Sequence, residues 1–429
     1  MKKILSLLTI LAMALTIVAC GTKEDSNSDE QKITIWAWDK AFNIAALEEA
    51  KASYLKENPD VEIEIVEYAQ DDLMQKLNTG LNSGVTEGLP NITLIEDYRI
   101  AGILASYPDA IMNLSDIVKY DDFAQYKVAN MTVDGKQYGV PFDSGVTAMF
   151  YRTDLIEEAG FTVDEIDKGI TWDRFIEIGK AVKEKTGVAM LTLDPSDFGL
   201  VRTMMQSAGT WYTNEEGKLD LIGNEKLEKI LATYNKLMES GIVNQHTDWA
   251  QFVGAVNEGK AATVPTGCWF ASSISQEESQ SGTWRIAPVP KLADVADSTG
   301  YSNSGGSSWY VLNKVGNNEL AADFLAKTFA GDVDLINTLV EKINLVTTYL
   351  PAATAENNTK ENAYFSNQKI FELFGEWTEK IPPVKYGMNT YAIEDLLEIE
   401  YQKIDTSGIS IEEVLKNTDA QAKSQLGIE

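Results

Sequence analysis

The segment from residue 33 to residue 95 constrains the fold most, because strand and helix patterns alternate along it. Short β-rich runs at 33–38, 61–66 and 92–95 are separated by stretches with helical periodicity at 44–57 and 71–83. This order predicts right-handed crossovers and a largely parallel sheet that is covered by helices on both faces. The first folding unit is therefore predicted to be α/β.

The same pattern returns later in the chain and predicts a second α/β lobe. At 429 residues the chain is too long for one hydrophobic core, and two lobes are expected. The last hundred residues are predicted to be mostly helical. The later predicted elements are helices at 172–186, 200–207, 224–240, 250–257 and 319–330, and strands at 189–192, 262–264 and 309–312.

The first 32 residues are predicted to lie outside the folded lobes. A basic start is followed by an almost wholly apolar run that is too short to span a bilayer core of about 30 Å. The run ends in Ile-Val-Ala-Cys-Gly at 17–21, which is similar to a bacterial lipobox, although a chance cysteine is the alternative. Residues 1–19 are therefore predicted to be a lipoprotein signal peptide and Cys20 the lipid attachment site. Residues 20–32, acidic and polar, are predicted to form a flexible tether.

Charge and the scarcity of histidine and cysteine exclude several functions. Thirty-six Lys and Arg against 65 Asp and Glu give a net charge of −29, which would repel nucleic acid. One histidine and two cysteines leave no set of side chains for a His/Cys zinc site or a Cys-His protease. Motifs for phosphate loops, dinucleotide binding, serine hydrolases and zincins are absent from the sequence. We expect no nucleic-acid partner, no metal and no cofactor.

Aromatic residues and carboxylates collect where predicted strands end. In open α/β sheets these positions form the crevice that binds ligands. Aromatic faces beside fixed hydrogen-bonding groups suit a sugar ring, whereas any single aromatic there is as readily a core or hinge residue. The candidates on this reasoning are Trp36, Trp38, Trp211, Trp269, Trp309, Tyr349 and Tyr386, with the carboxylates Asp39, Glu96, Asp97, Asp143 and Asp194.

Several motifs occur together in one order along the chain. They are Tyr-Gly-Val-Pro-Phe-Asp at 138–143, Met-Phe-Tyr-Arg-Thr-Asp-Leu at 149–155, Ala-Gly-Phe at 159–161 and Thr-Trp-Asp-Arg-Phe at 171–175, with further matches at 33–36, 257–262, 267–269, 287–290 and 305–309. As a set they resemble the family 1 extracellular solute-binding proteins, the sugar receptors of ABC importers. Arg174 departs from that family, which usually has an acidic residue there.

The resemblance implies two α/β lobes with a ligand cleft between them that closes on binding. The predicted N-lobe comprises residues 33–141 plus 291–328, and the predicted C-lobe comprises residues 142–290 plus 329–429. The chain is expected to cross the hinge three times, near 141–145, 288–291 and 326–332.

The resemblance also implies ligand-binding positions. Transferred residue by residue, they fall on Trp36, Asp39, Glu96, Asp97, Asp143, Asp194, Gly267, Trp269, Gly305, Gly306 and Tyr386. The crevice argument adds Trp38, Trp211 and Asn389. Tyr151 and Trp172 also match the motifs and are interpreted as packing residues.

The function implied by the resemblance is capture of a neutral sugar, in particular an oligosaccharide, without covalent chemistry. The protein would be a monomer, lipid-anchored on the extracellular face, which delivers its ligand to ABC transporter permease subunits. Glycosidase activity is an alternative function, and it would need two facing carboxylates, such as those of Glu96 and Asp143, roughly 5 to 10 Å apart. A role as a surface adhesin or sensor subunit is a further alternative. The ligand could also be an amino acid, polyamine or peptide whose ammonium groups pair with the acidic residues.

Overall fold

The computed structural model describes residues 31–214, 216–382 and 384–428. The predicted signal peptide, Cys20 and most of the predicted tether lie outside these residues. Lys32, which the sequence assigned to the tether, is instead the first residue of a strand, because its backbone pairs in register with Glu62 of the neighbouring strand. Its ammonium also contacts Glu62 and Glu64 at 2.9 and 3.1 Å. Within the described residues, no helix combines the length and the apolar composition needed to cross a membrane.

The first lobe is built on a five-stranded sheet in the order β2-β1-β3-β12-β6. Strands β1 (Lys32–Ala37), β2 (Glu62–Glu67) and β3 (Ile92–Glu96) are parallel, as the alternating pattern predicted. Strands β12 (Ser307–Val311) and β6 (Gly139–Pro141) complete it, and β12 runs antiparallel to both of its neighbours. β3 and β12 are buried along their whole length, because helices cover both faces of the sheet.

The second lobe is built on a sheet in the order β11-β7-β10-β8-β9. Its strands are β7 (Thr147–Arg152), β8 (Ala189–Leu193), β9 (Val243–Gln245), β10 (Ala261–Gly267) and β11 (Trp284–Ala287). β8 is parallel to both β9 and β10, whereas β7 runs antiparallel to β10 and β11. Two sheets flanked by helices confirm the predicted α/β class.

Helices connect and cover the strands. They are α1 (Ala45–Tyr54, preceded by a π-helical turn at Lys40–Ile44), α2 (Gln70–Ser83), α3 (Asp97–Ser106), α4 (Gln125–Asn130), α5 (Thr153–Glu158), α6 (Val163–Asp167), α7 (Trp172–Thr186), α8 (Gly199–Ser207), α9 (Glu225–Glu239), α10 (Trp249–Asn257), α11 (Ala271–Ile274), α12 (Asn318–Lys327), α13 (Val333–Ile343), α14 (Ile370–Thr378), α15 (Thr390–Tyr401), α16 (Lys403–Ser407) and α17 (Ile411–Leu426). A hairpin of β4 (Thr132–Val133) and β5 (Lys136–Gln137) precedes β6.

The Thr-Trp-Asp motif forms the start of α7. The Thr171 hydroxyl accepts a hydrogen bond from the Arg174 backbone amide at 3.3 Å, and the helix ends at Gly187, whose φ of 75° suits a residue without Cβ. Trp172 and Tyr151 are buried in the core of the second lobe. Both are packing residues, as the sequence analysis expected.

The chain returns from the second lobe to the first later than predicted. Residue 291 was expected to start the second N-lobe segment, but the Lys291 backbone amide donates to the Ile170 carbonyl at 3.0 Å and its carbonyl accepts from Trp172. The Thr299 amide still bonds to the Ser207 carbonyl at 2.8 Å, again in the second lobe. The crossing therefore lies just before Ser307, where β12 begins.

The third predicted crossing, near 326–332, is also misplaced. Helix α13 was assigned to the C-lobe, but its apolar face, including Leu335 and Leu339, lies in the core of the first lobe. Lys342 of the same helix contacts Glu49 of α1 at 2.6 Å. Ala352 is the last buried residue of the first core, and Phe365 lies in the cluster that contains residues of β7, β10 and β11, so the chain leaves the first lobe between them. Val340 of α13 and Val346 also contact that cluster, which places them at the boundary between the lobes.

Candidate functional site

Three residues named from the sequence meet between the lobes, where β3 and β10 end. Gly305, with a φ of 73°, lies on the segment that returns to the first lobe. An ideal Cβ on Gly305 would lie 3.6 Å from Glu96 Oε1 and 3.5 Å from Trp269 Nε1. The Glu96 carboxylate and the Trp269 indole therefore both lie beside Gly305, where the positive φ favours glycine.

Glu96 is held in one orientation by partners from both lobes. The Tyr391 hydroxyl, from α15 of the second lobe, donates to Glu96 Oε2 at 2.5 Å, and Arg99 Nε lies 3.4 Å from the same oxygen. Burial raises the pKa of the Glu96 carboxyl, while Arg99 and the Tyr391 hydrogen bond oppose the shift. Oε1 is the carboxylate oxygen nearer to Gly305, and Glu96 as a whole is only 8% exposed.

Trp269 forms one half of an aromatic platform. Its indole Nε1 donates to the Ser304 carbonyl at 2.9 Å, which fixes the ring against the returning segment. An ideal Cβ on Gly267 would lie only 2.1 Å from that nitrogen, so the close approach requires glycine. Gly267 therefore contributes to the site by allowing the Trp269 indole to take this position.

Trp249 is the other half of the aromatic platform, and the sequence analysis missed it. Its ring centroid lies 5.8 Å from that of Trp269, and 44% of the residue surface is exposed. Phe252 and Phe270 stack on each other at 4.5 Å, and both meet Trp249 edge-on, at 5.5 and 5.8 Å between ring centroids. Trp249 starts α10 shortly after β9, a three-residue strand that the sequence analysis did not predict, so the strand-end rule could not select it.

Four further aromatic residues pack against one another where the lobes touch, and we call them the interlobe cluster. Tyr98 of the first lobe lies 4.4 Å from Tyr386 and 5.8 Å from Trp211 of the second, measured between ring centroids. Tyr391 is the fourth member, 6.2 Å from Tyr98. Sequence reasoning selected Trp211 and Tyr386 but missed Tyr98, two residues after β3, and Tyr391, for which no strand end gave a signal.

Hydrogen bonds within the protein satisfy the polar groups of this cluster. Trp211 Nε1 donates to Thr390 Oγ1 at 3.0 Å, and the Tyr98 hydroxyl donates to the Asn303 carbonyl at 3.1 Å. The Tyr386 hydroxyl donates to Gln206 Oε1 at 3.0 Å. Burial raises the pKa of Tyr386 above its ordinary value, so the phenol is neutral.

Arg202 carries positive charge into this region and was also missed. Its guanidinium pairs with Glu394 and lies 5.0 Å from the centre of the Tyr391 ring. Asp197, Glu394 and Glu398 bring their carboxylates together here, and burial raises the pKa of Glu398 to about 7. Arg202 Nη2 lies 3.6 Å from Asp197, so the guanidinium neutralises charge within this acidic group.

Four predicted ligand contacts are occupied by partners inside the protein. Asp97 pairs with the buried Lys127, whose Nζ lies 2.7 and 2.9 Å from its two oxygens. Asp143 accepts from the Ser307 amide and hydroxyl at 2.6 and 2.9 Å.

Trp36 is buried and packs on Tyr68 at 5.0 Å. Gly306 lets the backbone approach Asp97, since an ideal Cβ there would lie 3.0 Å from Asp97 Oδ2. In the structure these residues serve the lobe interior and the hinge.

The remaining predicted contacts are half-buried. Asp39 has a φ of 61° and accepts from the Ala41 amide at 3.0 Å, and burial raises its pKa. Trp38 precedes it and packs against the first core. Asp194 accepts from the Ser196 amide and hydroxyl at 2.8 and 2.7 Å, and Asn389 directly precedes α15.

Two surface cavities lie outside this region. One, of about 360 Å³, is lined by Asp167, Arg285 and Trp377 of the second lobe among others. The other, of about 240 Å³, is lined by Leu89, Tyr107 and Val315 of the first lobe. Neither includes a residue of the aromatic platform or the interlobe cluster, so the candidate site rests on the side chains that meet between the lobes.

Comparison with protein families and curated proteins gives clear matches. Residues 49–367 match the model of a family described as bacterial extracellular solute-binding protein. A lactose-binding protein of Rhizobium radiobacter is 40% identical over 395 residues, which is 92% of this chain and 93% of that protein. The family and this relative are binding proteins rather than enzymes.

Solved structures with the same fold include a receptor and an ABC transporter associated binding protein. The GacH receptor of Streptomyces glaucescens GLA.O superposes with a TM-score of 0.79 at 18% identity, covering 92% of this chain and 98% of that one. An ABC transporter associated binding protein from B. animalis subsp. lactis Bl-04, in complex with β-1,6-galactobiose, gives a TM-score of 0.78 at 21% identity, covering 93% and 98%. These matches confirm the two-lobe fold.

Proposed function

Because this chain belongs to the family of bacterial extracellular solute-binding proteins, we propose that it captures a sugar outside the cell and delivers it to an ABC transporter permease. The membership confirms the resemblance drawn from the motifs. The observation that carries the proposal is the half-buried Trp269 indole beside the oriented Glu96 carboxylate, in the groove between the lobes.

This arrangement matches the two sides of a sugar ring. The face of C–H groups stacks on the indoles of the aromatic platform, and a flanking hydroxyl donates to Glu96 Oε1. Closure of the lobes removes water from the groove, which strengthens each polar contact. Binding requires no bond to be made or broken, and we propose no catalytic activity.

We propose a galactose-containing disaccharide such as lactose as the ligand. The support is the similarity of nearly the whole chain to a lactose-binding protein, at an identity of 40%. Two adjacent indoles in the aromatic platform also favour a ligand of more than one ring.

A thermal-shift screen tests this proposal. Lactose, other disaccharides, monosaccharides, polyamines and short peptides are each added to the purified protein. A ligand present at 100 times its Kd should stabilise the folded state by about 2.7 kcal/mol. Stabilisation by a polyamine or peptide and by no sugar would overturn the sugar proposal. Release of monosaccharide from lactose during the incubation would instead show a glycosidase.

We propose that the protein is a monomer held at the extracellular face of the membrane by lipid on Cys20. The apolar run before this cysteine and the polar segment after it support this location. The Cys20→Ser variant should stay unlipidated and uncleaved at that site. Mass spectrometry of the membrane fraction decides the matter, because an unmodified N-terminus elsewhere in the wild-type protein contradicts the anchor. Sedimentation of the mature protein tests the monomer.

A further inference from the structure

The candidate site residues form a row between the lobes. Trp249 and Trp269 are neighbours, with ring centroids 5.8 Å apart. Trp269 Nε1 and Glu96 Oε1 both lie beside Gly305. Beyond Glu96 stands Tyr391, whose hydroxyl lies 2.5 Å from Glu96 Oε2. Successive neighbours between the lobes are therefore Trp249, Trp269, Glu96 and Tyr391.

The two ends of this row differ in exposure. Trp249 is 44% exposed, so a ligand chain has room to pass it. At the other end the interlobe cluster lies behind Tyr391, and Tyr98 and Trp211 are only 2% and 3% exposed. The polar groups of these two residues already donate to Asn303 and Thr390, respectively. Opening this end would break hydrogen bonds between buried groups, which is costly.

Tyr391 is clamped in place as the end wall. The Arg99 guanidinium, from the first lobe, lies 4.0 Å from the centre of its ring, and the Arg202 guanidinium, from the second lobe, lies 5.0 Å from it. Both positive groups are attracted to the ring face. The Glu394 carboxylate, which also accepts from the Tyr212 hydroxyl at 2.6 Å, holds Arg202 in turn.

From this asymmetry we propose that the sugar groove is closed at the Tyr391 end, so that the protein recognises one terminal ring of an oligosaccharide. That ring lies against Glu96 and Tyr391, and the rest of the chain extends over the aromatic platform past Trp249. Tyr391 is then a specificity-determining residue, because it excludes ligands whose terminal ring carries a further substituent. This inference rests on the proposed sugar-binding function.

Calorimetric titration of the wild-type protein tests the closed end directly. The ligands are lactose, a trisaccharide with one more galactose on the non-reducing ring, and an alkyl glycoside that blocks the reducing ring. Extension at one end should weaken binding by at least about tenfold, whereas extension at the other should change it by less than about threefold. Equal tolerance at both ends overturns the closed groove while leaving sugar binding intact. Failure of all three sugars to bind would instead contradict the proposed function.

Two substitutions of Tyr391 then identify the wall. Tyr391→Ala removes the ring and should reduce the penalty for the rejected ligand, relative to lactose, by at least about tenfold. Tyr391→Phe keeps the ring but loses the hydrogen bond to Glu96, so its affinities fall while its preference between the ligands stays that of the wild type. If Ala and Phe change the preference equally, Tyr391 is not the wall. The wild-type titration decides the closed end even if Tyr391→Ala does not fold.

Discussion

Trp269 shows how one side chain can serve a ligand and the fold at once. Its indole nitrogen is tied to the Ser304 carbonyl, yet the residue is only half-buried and lies beside the exposed Trp249. The hydrogen bond sets the orientation of the ring, and the partial exposure leaves surface for stacking. A ligand role and a packing role therefore predict different consequences of removing it.

We predict that Trp269→Ala weakens sugar binding by about 1–3 kcal/mol, on the scale for bases stacked on aromatic side chains. The free energy of unfolding without sugar should fall by far less than the about 3–5 kcal/mol typical of a buried aromatic. Titration calorimetry and denaturant unfolding measure the two quantities. Trp269→Phe, which keeps an aromatic face but loses the bond to Ser304, should lose less affinity. A large loss of stability with unchanged affinity would assign Trp269 to packing alone.

Asp143 illustrates a sequence-selected carboxylate whose structural role lies in the hinge. It is buried, it follows β6 where the chain leaves the first lobe, and it binds Ser307 where the chain returns. Burial raises the pKa of its carboxyl from 3.8 to about 6, although Lys127 and the bonds from Ser307 oppose the shift. Ionisation of Asp143 at neutral pH therefore lowers the stability of the folded protein at the hinge.

The raised pKa predicts the sign of a pH effect. Between about pH 4 and 6 the folded protein keeps a proton on Asp143 that the unfolded chain has lost, so stability from this group falls as pH rises through that window. Across this pH window, the free energy of unfolding of the wild type should fall by about 2–3 kcal/mol relative to that of Asp143→Asn. The asparagine is a close match, because its amide oxygen can still accept from Ser307. Urea unfolding of both proteins at pH 4 to 7 measures the difference. Asp121 is exposed, so Asp121→Asn controls for the loss of one charge. If the difference in unfolding free energy between the wild type and Asp143→Asn does not change with pH, the raised pKa of Asp143 is refuted.

At the scale of elements, the sequence was most informative where local signals mark both ends. Helix α7 begins and ends where it was predicted, at 172 and 186, because Thr171 caps its start and Gly187 supplies the left-handed residue at its end. Strand β10 extends to Gly267, three residues beyond its predicted end, because residues 265–267 pair with β7. That pairing is a tertiary contact, which local periodicity does not contain.

Which lobe a helix belongs to could not be predicted in the same way. The spacing of apolar residues in α13 shows that one face is buried, but not which surface it covers. The same limit applies to the residues of the candidate site. Trp269 follows β10 and Glu96 ends β3, so both were found. Arg202 and Tyr391 lie on helices and gain their role only where the lobes meet.

The position of α13 in the first lobe gives a prediction. Leu339 is fully buried in the first core, so Leu339→Ala should lower the free energy of unfolding by about 2–5 kcal/mol. Hydrogen exchange should increase in α1, against which α13 packs, more than in α14 of the second lobe. Val333→Ala, at the exposed start of the same helix, is the matched control and should cost much less. Increased exchange confined to α14 would place α13 with the second lobe after all.

At the scale of the whole molecule, the lobes are joined by three chain crossings and by direct contacts across the groove. The Glu96 to Tyr391 bond links α15 to the end of β3, and Tyr98 inserts between Asn303 and Tyr386. None of these contacts lies within a single lobe. The balance between separated and closed lobes is therefore sensitive to a few hydrogen bonds, and a ligand shifts it by its difference in affinity for the two states.

We predict that saturating sugar makes the protein more compact, because a ligand that touches Glu96 on one lobe and Trp269 on the other stabilises the closed state. Small-angle scattering should show a smaller radius of gyration, and residues 141–145 should gain protection from hydrogen exchange. Tyr391→Phe removes an interlobe bond without altering either core, so it should need more sugar to reach the same compact state. If the radius of gyration and the exchange at 141–145 are both unchanged at saturation, the protein is a rigid binding module, and its recognition by a permease cannot depend on closure.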